Sequence, residues 1–178
     1  MRRAAAIGTL LFVLVGPGLE AGVGPWLLTG GFEDAGDLPA WLAVPGWALI
    51  ALGLAVLVLT LVGFARDGLG TPSPAAPPRE LVVTGPYRYV RNPQYVATAA
   101  VIVGEGLVLG QPILLVAAAV YLAVLAVLHA QREAPLLRAR FGPAYDAYAA
   151  AVPAWIPRLT PWTDGAGGAS PTRSARGA

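Results

Sequence analysis

The stretch WLAVPGWALIALGLAVLVLTLVGFA, residues 41–65, decides the fold because it runs for 25 residues without a charged side chain. A helix needs about 20 apolar residues to cross a bilayer, and a stretch of this length makes roughly 37 Å of helix. We therefore predict a membrane-spanning helix over these residues. The acidic loop before it, with Glu33, Asp34 and Asp37, is interpreted as a solvated turn.

Apolar runs on both sides of this stretch predict three further membrane helices. Gly16-Pro17-Gly18 is expected to bend the first of them, and Gly110-Gln111 is the tight turn that separates the last two. Together the runs predict an all-α fold, a polytopic membrane helical bundle of about four transmembrane helices. The predicted spans are residues 4–28, 41–65, 94–109 and 112–130.

The C-terminal part of the chain is expected to leave the bilayer. Residues 131–162 are rich in Arg and aromatic residues, and they predict a short cytoplasmic helical cap with helices around residues 133–140 and 145–151. Residues 163–178 lack an apolar face and are predicted to form a disordered tail. Everything before this tail is interpreted as a single domain, residues 1–162.

Composition and charge also indicate a membrane protein. Of the 178 residues, 56% are hydrophobic and 12% are charged, whereas a soluble domain carries roughly a quarter charged residues. Arg residues occur at the N-terminus, in residues 66–91 and from residue 132 onward, and the two loops on the other side have none. We expect an integral protein of a bacterial cytoplasmic membrane with both termini in the cytoplasm. The net charge of +2, spread over scattered Arg residues, does not indicate a nucleic-acid partner.

The residue inventory excludes several kinds of site. The chain has no cysteine, which excludes disulfides, thiolate metal sites and cysteine nucleophiles. Its single histidine, His129, excludes a multi-histidine metal site, and no metal is predicted. We interpret His129 as a hydrogen-bonding residue at a helix end. Glu20 and Glu105 lie in predicted spans, and we interpret both as structural residues near the outer ends, where water can reach them.

Two groups of polar and aromatic residues could carry chemistry. Residues 84–95, TGPYRYVRNPQY, bring two Arg, three Tyr and an Asn to the start of the third helix, which suggests a polar ligand. An equally open interpretation is that Arg88 and Arg91 bind lipid phosphate while the tyrosines form an interfacial belt.

The second group, residues 132–158, contains Glu133 and more Arg and Tyr residues; the alternative for Glu133 is a surface ion pair worth at most about 1 kcal/mol. The short helical hairpin should return this group to the membrane face of the first, so we expect the two groups to meet.

Three segments carry a resemblance to a known family: GTPSPAAPPRELVVTGPYRYVRNPQY at residues 70–95, REAPLLRARFGPAYDAY at residues 132–148 and VPAWIPR at residues 152–158. From about residue 68 to residue 162 the chain resembles the integral membrane methyltransferases, which include isoprenylcysteine carboxyl methyltransferase and the phospholipid N-methyltransferases. The resemblance implies that S-adenosylmethionine binds without a Rossmann domain, in a pocket made by the last two membrane helices and the cap. It also implies that a lipid-like acceptor enters from the bilayer.

The resemblance implies catalytic roles for Glu133 and Arg91. It also implies that the cofactor is contacted by Tyr87, Arg88, Arg91, Asn92, Tyr95, Glu133, Tyr145, Tyr148 and Arg158. The chain departs from the usual pattern, because Asn92 replaces His, Ala97 replaces Gly, and Ala134 stands where a second Glu is usual. Asn92 can hydrogen-bond a carboxylate or an adenine edge but cannot supply a positive charge, so cofactor affinity or acceptor class could differ.

The predicted function is S-adenosylmethionine-dependent methyl transfer to a lipidic or small hydrophobic acceptor at the cytoplasmic membrane face. Such a displacement needs alignment and a dry pocket more than acid–base groups. A carboxylate acceptor like that of an isoprenylcysteine would need only an Arg to orient it. A phospholipid amine or a thiol would need deprotonation, for which Glu133 is the well-placed carboxylate.

The acceptor stays open among these classes, and so does the oligomeric state; membrane lipid is the other expected partner. Two other classes of function also stay open. One is a non-catalytic membrane scaffold that retains the methyltransferase fold, which the altered residues Asn92 and Ala134 would fit. The other is a small transporter, for which paired intramembrane charges and inverted repeats are lacking.

Overall fold

The computed structural model describes residues 15–33, 36–67 and 81–163. In this described part the secondary structure consists of helices and turns without a β-strand, which confirms the predicted all-α class. The first part of the predicted first span, the middle of the segment 66–91 and nearly all of the predicted tail lie outside the described residues.

The first two helices correspond to the first two predicted spans. Helix α1 comprises a π-helical turn, Leu19–Val23, and an α-helical segment, Gly24–Leu28. Helix α2, Ala43–Asp67, follows a 3-10 turn at Ala40–Leu42. At about 1.5 Å per residue, α2 is long enough to cross the roughly 30 Å apolar core of a bilayer.

Helices α3, Pro93–Val108, and α4, Pro112–Leu128, form the predicted hairpin. Each begins with a proline in its first turn, where the missing backbone N–H is not needed by the helix. In the turn between them Gly110 has a φ of +61°, a left-handed conformation that favours glycine. The predicted tight turn is thereby confirmed.

Helix α4 does not end at Ala130, as the apolar run predicted. It continues through a π-helical turn, His129–Glu133, into α5, Ala134–Phe141. Pro135 at the start of α5 lacks a backbone N–H and crowds the preceding turn, and the π-helical turn accommodates this. The helix then ends at Gly142, which has a φ of +54°.

The last helix, α6, spans Pro143–Ala151. Helices are therefore present at both places where the sequence predicts them, around residues 133–140 and 145–151, and the first is continuous with α4. That they form a cytoplasmic cap stays a prediction, and we call them the cap helices below.

Helix α3 is the central helix of the bundle, because α1, α2 and α4 all contact it. Glycines let α2 and α3 approach backbone to backbone. A Cβ on Gly104 would lie 2.6 Å from the carbonyl oxygen of Gly46, and a Cβ on Gly53 would lie 2.7 Å from that of Ala97. Small residues at such contacts are typical of helix packing in membranes. Helices there associate through van der Waals contact, because the hydrophobic effect does not favour helix association in lipid.

The outer faces of α2 and α4 are exposed and apolar. Within the described residues, two helical stretches, Ala40–Gly63 and Pro112–Phe141, are long and apolar enough to cross a membrane. Exposed apolar faces of this extent need an apolar partner, and lipid is the partner that fits two such helices. The exposed side chains include Val44, Trp47, Leu52, Leu54, Val58, Leu59, Val116, Val120, Val124 and Val127.

The acidic loop and the hairpin turn lie together at one end of the bundle. The backbone N–H of Asp37 donates to the carbonyl of Gly110 at 3.2 Å, and the Gln111 side chain donates to the carbonyl of Glu33 at 2.8 Å. The start of α3 and the end of α4 therefore lie at the opposite end, together with α5 and α6.

Replacing Gly104 by Ala should destabilise the fold, because the added Cβ would meet a backbone oxygen that moves only if the helices separate. We expect the free energy of unfolding to fall by about 1–3 kcal/mol, measured as a lower melting temperature in detergent. Gly63→Ala is the matched control, since a Cβ there meets no described atom within 4 Å. Equal melting temperatures for the two variants would contradict the close packing of α2 on α3.

Candidate functional site

The segment after α6 pairs with the turn that precedes α3. This turn is a short 3-10 helix, Gly85–Arg88, with a proline in its first turn. Four hydrogen bonds connect the two segments: Arg91 N–H to Pro153 O at 2.9 Å, the Asn92 side-chain amide to Ala154 O at 3.2 Å, Arg158 N–H to Tyr89 O at 2.9 Å, and Trp162 N–H to Arg88 O at 2.9 Å. Three backbone bonds and the Asn92 side chain thus tie the segment after α6 to the start of α3.

Two of the predicted cofactor contacts, Arg88 and Arg158, brace this pairing. The Arg88 Nε donates to the carbonyl of Trp162 at 2.7 Å, and an Arg158 Nη donates to the carbonyl of Ala151 at 2.9 Å. Neither arginine lines the cavity described next. Their contact with a cofactor stays a prediction, while their visible role is to hold the C-terminal segment in place.

A cavity of about 120 Å³, partly open to solvent, lies between the turn before α3, the end of α4 and the two cap helices. It is smaller than the roughly 300–1,000 Å³ that is common for small-molecule pockets. Five of the nine predicted cofactor contacts line it, namely Tyr87, Arg91, Asn92, Tyr145 and Tyr148. The remaining lining residues are Leu81, Val82, His129, Leu137 and Phe141.

Two nitrogen atoms of the cavity-lining residues are buried without a hydrogen-bond partner in the described part of the chain. They are Nε of Arg91 and Nε2 of His129. A buried polar atom left unsatisfied costs about 1–3 kcal/mol, and water or a bound ligand in the cavity would satisfy these two. Arg91 and His129 come from the turn before α3 and from the end of α4, so two different segments of the chain bring these residues to the cavity.

The tyrosines form a fixed aromatic wall. An Arg91 Nη donates to the Tyr145 hydroxyl at 3.2 Å, and the Tyr148 hydroxyl donates to the carbonyl of Tyr87 at 2.7 Å. Tyr145 and Tyr148 are fully buried and pack against Val152. Burial raises the pKa of Tyr87 and of Tyr148 well above the usual range, so both phenols are neutral at physiological pH.

Glu133 is held between two helices beside this cavity. One carboxylate oxygen accepts from the Tyr95 hydroxyl at 2.6 Å, and the other lies 3.0 Å from Nδ1 of His129. The ring of Trp155 packs beside Tyr95 and His129. Its centroid lies 6.4 Å from that of Tyr95, in a stacked arrangement, and 5.8 Å from that of His129, in an edge-on arrangement. Tyr95 and Glu133, the other two predicted contacts, are therefore bonded to each other one residue layer from the cavity.

The predicted meeting of the two polar groups is confirmed, because Arg91 bonds Tyr145 and Tyr95 bonds Glu133. Sequence reasoning missed two members of the site. His129 was interpreted as a helix-end residue, although its position four residues before Glu133 puts both on one helix face. Trp155 lies in the quoted run VPAWIPR, but no periodicity in that irregular segment shows where its ring points.

The arrangement offers three chemical features to a ligand. Arg91 provides a positive charge for an anionic group, the tyrosine faces attract a cation, and Glu133, beside the cavity, provides a carboxylate that accepts hydrogen bonds. The described residues contain no group of three or more acidic or His side chains suited to a metal ion.

A comparison with known protein families places most of the described helices in one family. The model of the phospholipid methyltransferase family matches residues 41–144, which is more than half of the chain. The matched segment contains α2 to α5 and, from the site, Tyr87, Arg91, His129 and Glu133. No curated protein and no solved structure matches the chain. The family match agrees with the resemblance drawn from the motifs, and the chain belongs to the phospholipid methyltransferase family.

Proposed function

We propose that this protein transfers a methyl group from S-adenosylmethionine to the amine of a lipid acceptor at the cytoplasmic membrane face. Membership of a methyltransferase family supports the reaction class. The observation that carries the proposal is the pair of unsatisfied buried nitrogen atoms, on Arg91 and His129, at a cavity lined by aromatic rings.

The residues around the cavity fit the cofactor. S-adenosylmethionine supplies, when bound, an electrophilic methyl group on a positively charged sulfur. The guanidinium of Arg91 suits a ligand carboxylate, and its free Nε leaves a donor for it. The faces of Tyr87, Tyr145 and Tyr148 suit a cationic or a planar aromatic group.

Glu133 is the residue proposed to accept a proton. A lipid amine is protonated at neutral pH, and it must lose this proton before its nitrogen lone pair can react. Glu133 is held by Tyr95 and His129, so its carboxylate is oriented. A carboxylate acceptor would make no use of this arrangement, which is why the proposal favours an amine over an isoprenylcysteine.

The acceptor is proposed to approach from the bilayer. The exposed apolar faces of α2 and α4 support a position within lipid, with the cavity at the end where the Arg residues cluster. We also propose that the chain has about four transmembrane helices, with the cap and both termini in the cytoplasm.

The non-catalytic scaffold is less well supported. A scaffold without a ligand would gain nothing from two buried nitrogen atoms that lack partners, since each costs about 1–3 kcal/mol. Asn92 and Ala134, which motivate the scaffold, both have structural contacts that explain them, because Asn92 bonds Ala154 and Ala134 packs in the cap core.

Arg91→Ala should weaken cofactor binding. The variant removes the charge that faces the cavity, and a charge-assisted hydrogen bond is worth about 1.5–3 kcal/mol, so we expect the Kd for S-adenosylmethionine to rise roughly 10- to 100-fold. Calorimetry on the detergent-purified protein measures this. Arg132→Ala is the matched control, because this exposed arginine does not line the cavity. Absence of binding by the folded wild-type protein would overturn the proposed function.

Glu133→Gln should lower kcat for an amine lipid by about 100-fold or more, because glutamine can still accept from Tyr95 but cannot take a proton. The measurement is transfer of labelled methyl groups to phosphatidylethanolamine in mixed micelles at saturating cofactor. A variant with unchanged kcat and only a higher KM for S-adenosylmethionine would contradict a proton-accepting role. It would leave Glu133 as a cofactor contact alone.

A further inference from the structure

The segment after α6, residues 153–162, lies level with the end of α4. The ring centroid of its Trp155 is 5.8 Å from that of His129, which directly follows the last residue of α4. A helix needs about 20 residues to cross the apolar core of a bilayer, so a span that begins at Pro112 reaches the far boundary at about residue 131. With α4 in lipid, this segment therefore lies at the boundary between the apolar core and the head groups.

Two large apolar side chains of this segment are turned away from the bundle. Ile156 is 79% exposed and Leu159 is 99% exposed, whereas the neighbouring Trp155 and Arg158 are half-buried. A single exposed apolar side chain on a protein surface is ordinary. These two, however, lie at the level of the membrane boundary, where the acyl chains of lipid are within reach.

The backbone of the segment suits this depth. Irregular backbone is tolerated near the apolar core only where protein or water satisfies its polar groups. Pro153, Pro157 and Pro161 have no N–H group that needs a partner. The N–H groups of Arg158 and Trp162 donate to carbonyls of the turn before α3, each at 2.9 Å. Water at the head-group level can bond the N–H groups that remain.

The charge of the surrounding surface favours a lipid partner. Residues 84–95 and 129–163, which form this end of the bundle, contain six arginines and two carboxylates. Anionic lipids of the cytoplasmic leaflet attract such a surface. The exposed apolar face of α4 reaches the same boundary at Val127, so a lipid-facing surface already adjoins the segment.

We propose that residues 153–162 form an interfacial anchor, in which Ile156 and Leu159 insert into the cytoplasmic leaflet and the lipid surface is the partner. The same segment is hydrogen-bonded to the turn before α3, so the anchor keeps the cavity at the level of the lipid head groups. The inference rests on the position of α2 and α4 in lipid and does not depend on methyl transfer.

The test measures the depth of single residues in a membrane. The chain has no cysteine, so Leu159→Cys carries one spin label at a known position, and the exposed side chain that it replaces contributes little packing. The full chain is placed in liposomes of phosphatidylethanolamine and phosphatidylglycerol. Electron paramagnetic resonance then compares collisions with oxygen, which concentrates in lipid, and with a nickel chelate, which stays in water. We expect the labels of Leu159→Cys and Ile156→Cys to lie about 5–10 Å into the boundary between head groups and acyl chains.

Two further labels provide the controls. Ala147→Cys, on the exposed side of α6, should report water, and Val124→Cys, on the outer face of α4, should report lipid. A label of Leu159→Cys as accessible to the nickel chelate as that of Ala147→Cys would overturn the inference. A label of Val124→Cys in water would overturn it as well, because α4 would then lie outside lipid.

The spectra also distinguish lipid from a second copy of the chain. Spin–spin broadening at Leu159→Cys that disappears on dilution with unlabelled protein would assign this face to a self-interface and overturn the inference. The measured depths do not depend on S-adenosylmethionine. Its failure to bind the folded protein would overturn the proposed function and leave the anchor in place.

Discussion

The hydrogen bond of 2.6 Å between the Tyr95 hydroxyl and the Glu133 carboxylate joins the start of α3 to the end of α4, and the site depends on it. A carboxylate at the end of an apolar helix is costly unless other groups satisfy it. Tyr95 and His129 provide those groups, one on each carboxylate oxygen. A short turn with Gly110 in a left-handed conformation closes the other end of the hairpin. With both ends fixed, the spacing between the two helices is set where the cavity forms.

The cap depends on this spacing in turn. Tyr145 and Tyr148 are buried against the turn before α3. Tyr145 accepts a hydrogen bond from Arg91, and Tyr148 donates one to the carbonyl of Tyr87. Backbone groups of the segment after α6 form hydrogen bonds with the same turn. A cavity built in this way draws its lining from segments about 60 residues apart in sequence, such as Tyr87 and Tyr148. Displacing either helix of the hairpin would therefore open the cavity and free the cap together.

The helices were predictable because their signals are local. A long apolar run, a proline at a helix start and a glycine turn can each be recognised from the local sequence. Together they predict the positions of α2, α3 and α4 closely. The continuation of α4 into α5 was missed because the apolar run ends at Ala130, whereas helix formation does not require apolar residues and the next glycine is Gly142. Local sequence signals could not show which of the predicted residues face the cavity. Arg88 and Arg91 are equally plausible ligands by sequence, yet one braces Trp162 and the other lines the cavity.

The surroundings of Asn92 and Ala134 explain why these two residues are compatible with the structure although they differ from the family pattern. Where the pattern often has His, the side chain of Asn92 is buried and donates to the carbonyl of Ala154, so this position holds the C-terminal segment. An imidazole is nonetheless present in the cavity, because His129 reaches it from α4 with a free Nε2. Ala134 stands where a second Glu is usual, and it packs against the cluster of Tyr145, Tyr148 and Val152. A charged side chain there would have to be desolvated against this cluster without an evident partner, whereas Glu133, one residue earlier, meets two. Glu133 and His129 thus form a hydrogen-bonded pair on one face of the helix that continues from α4.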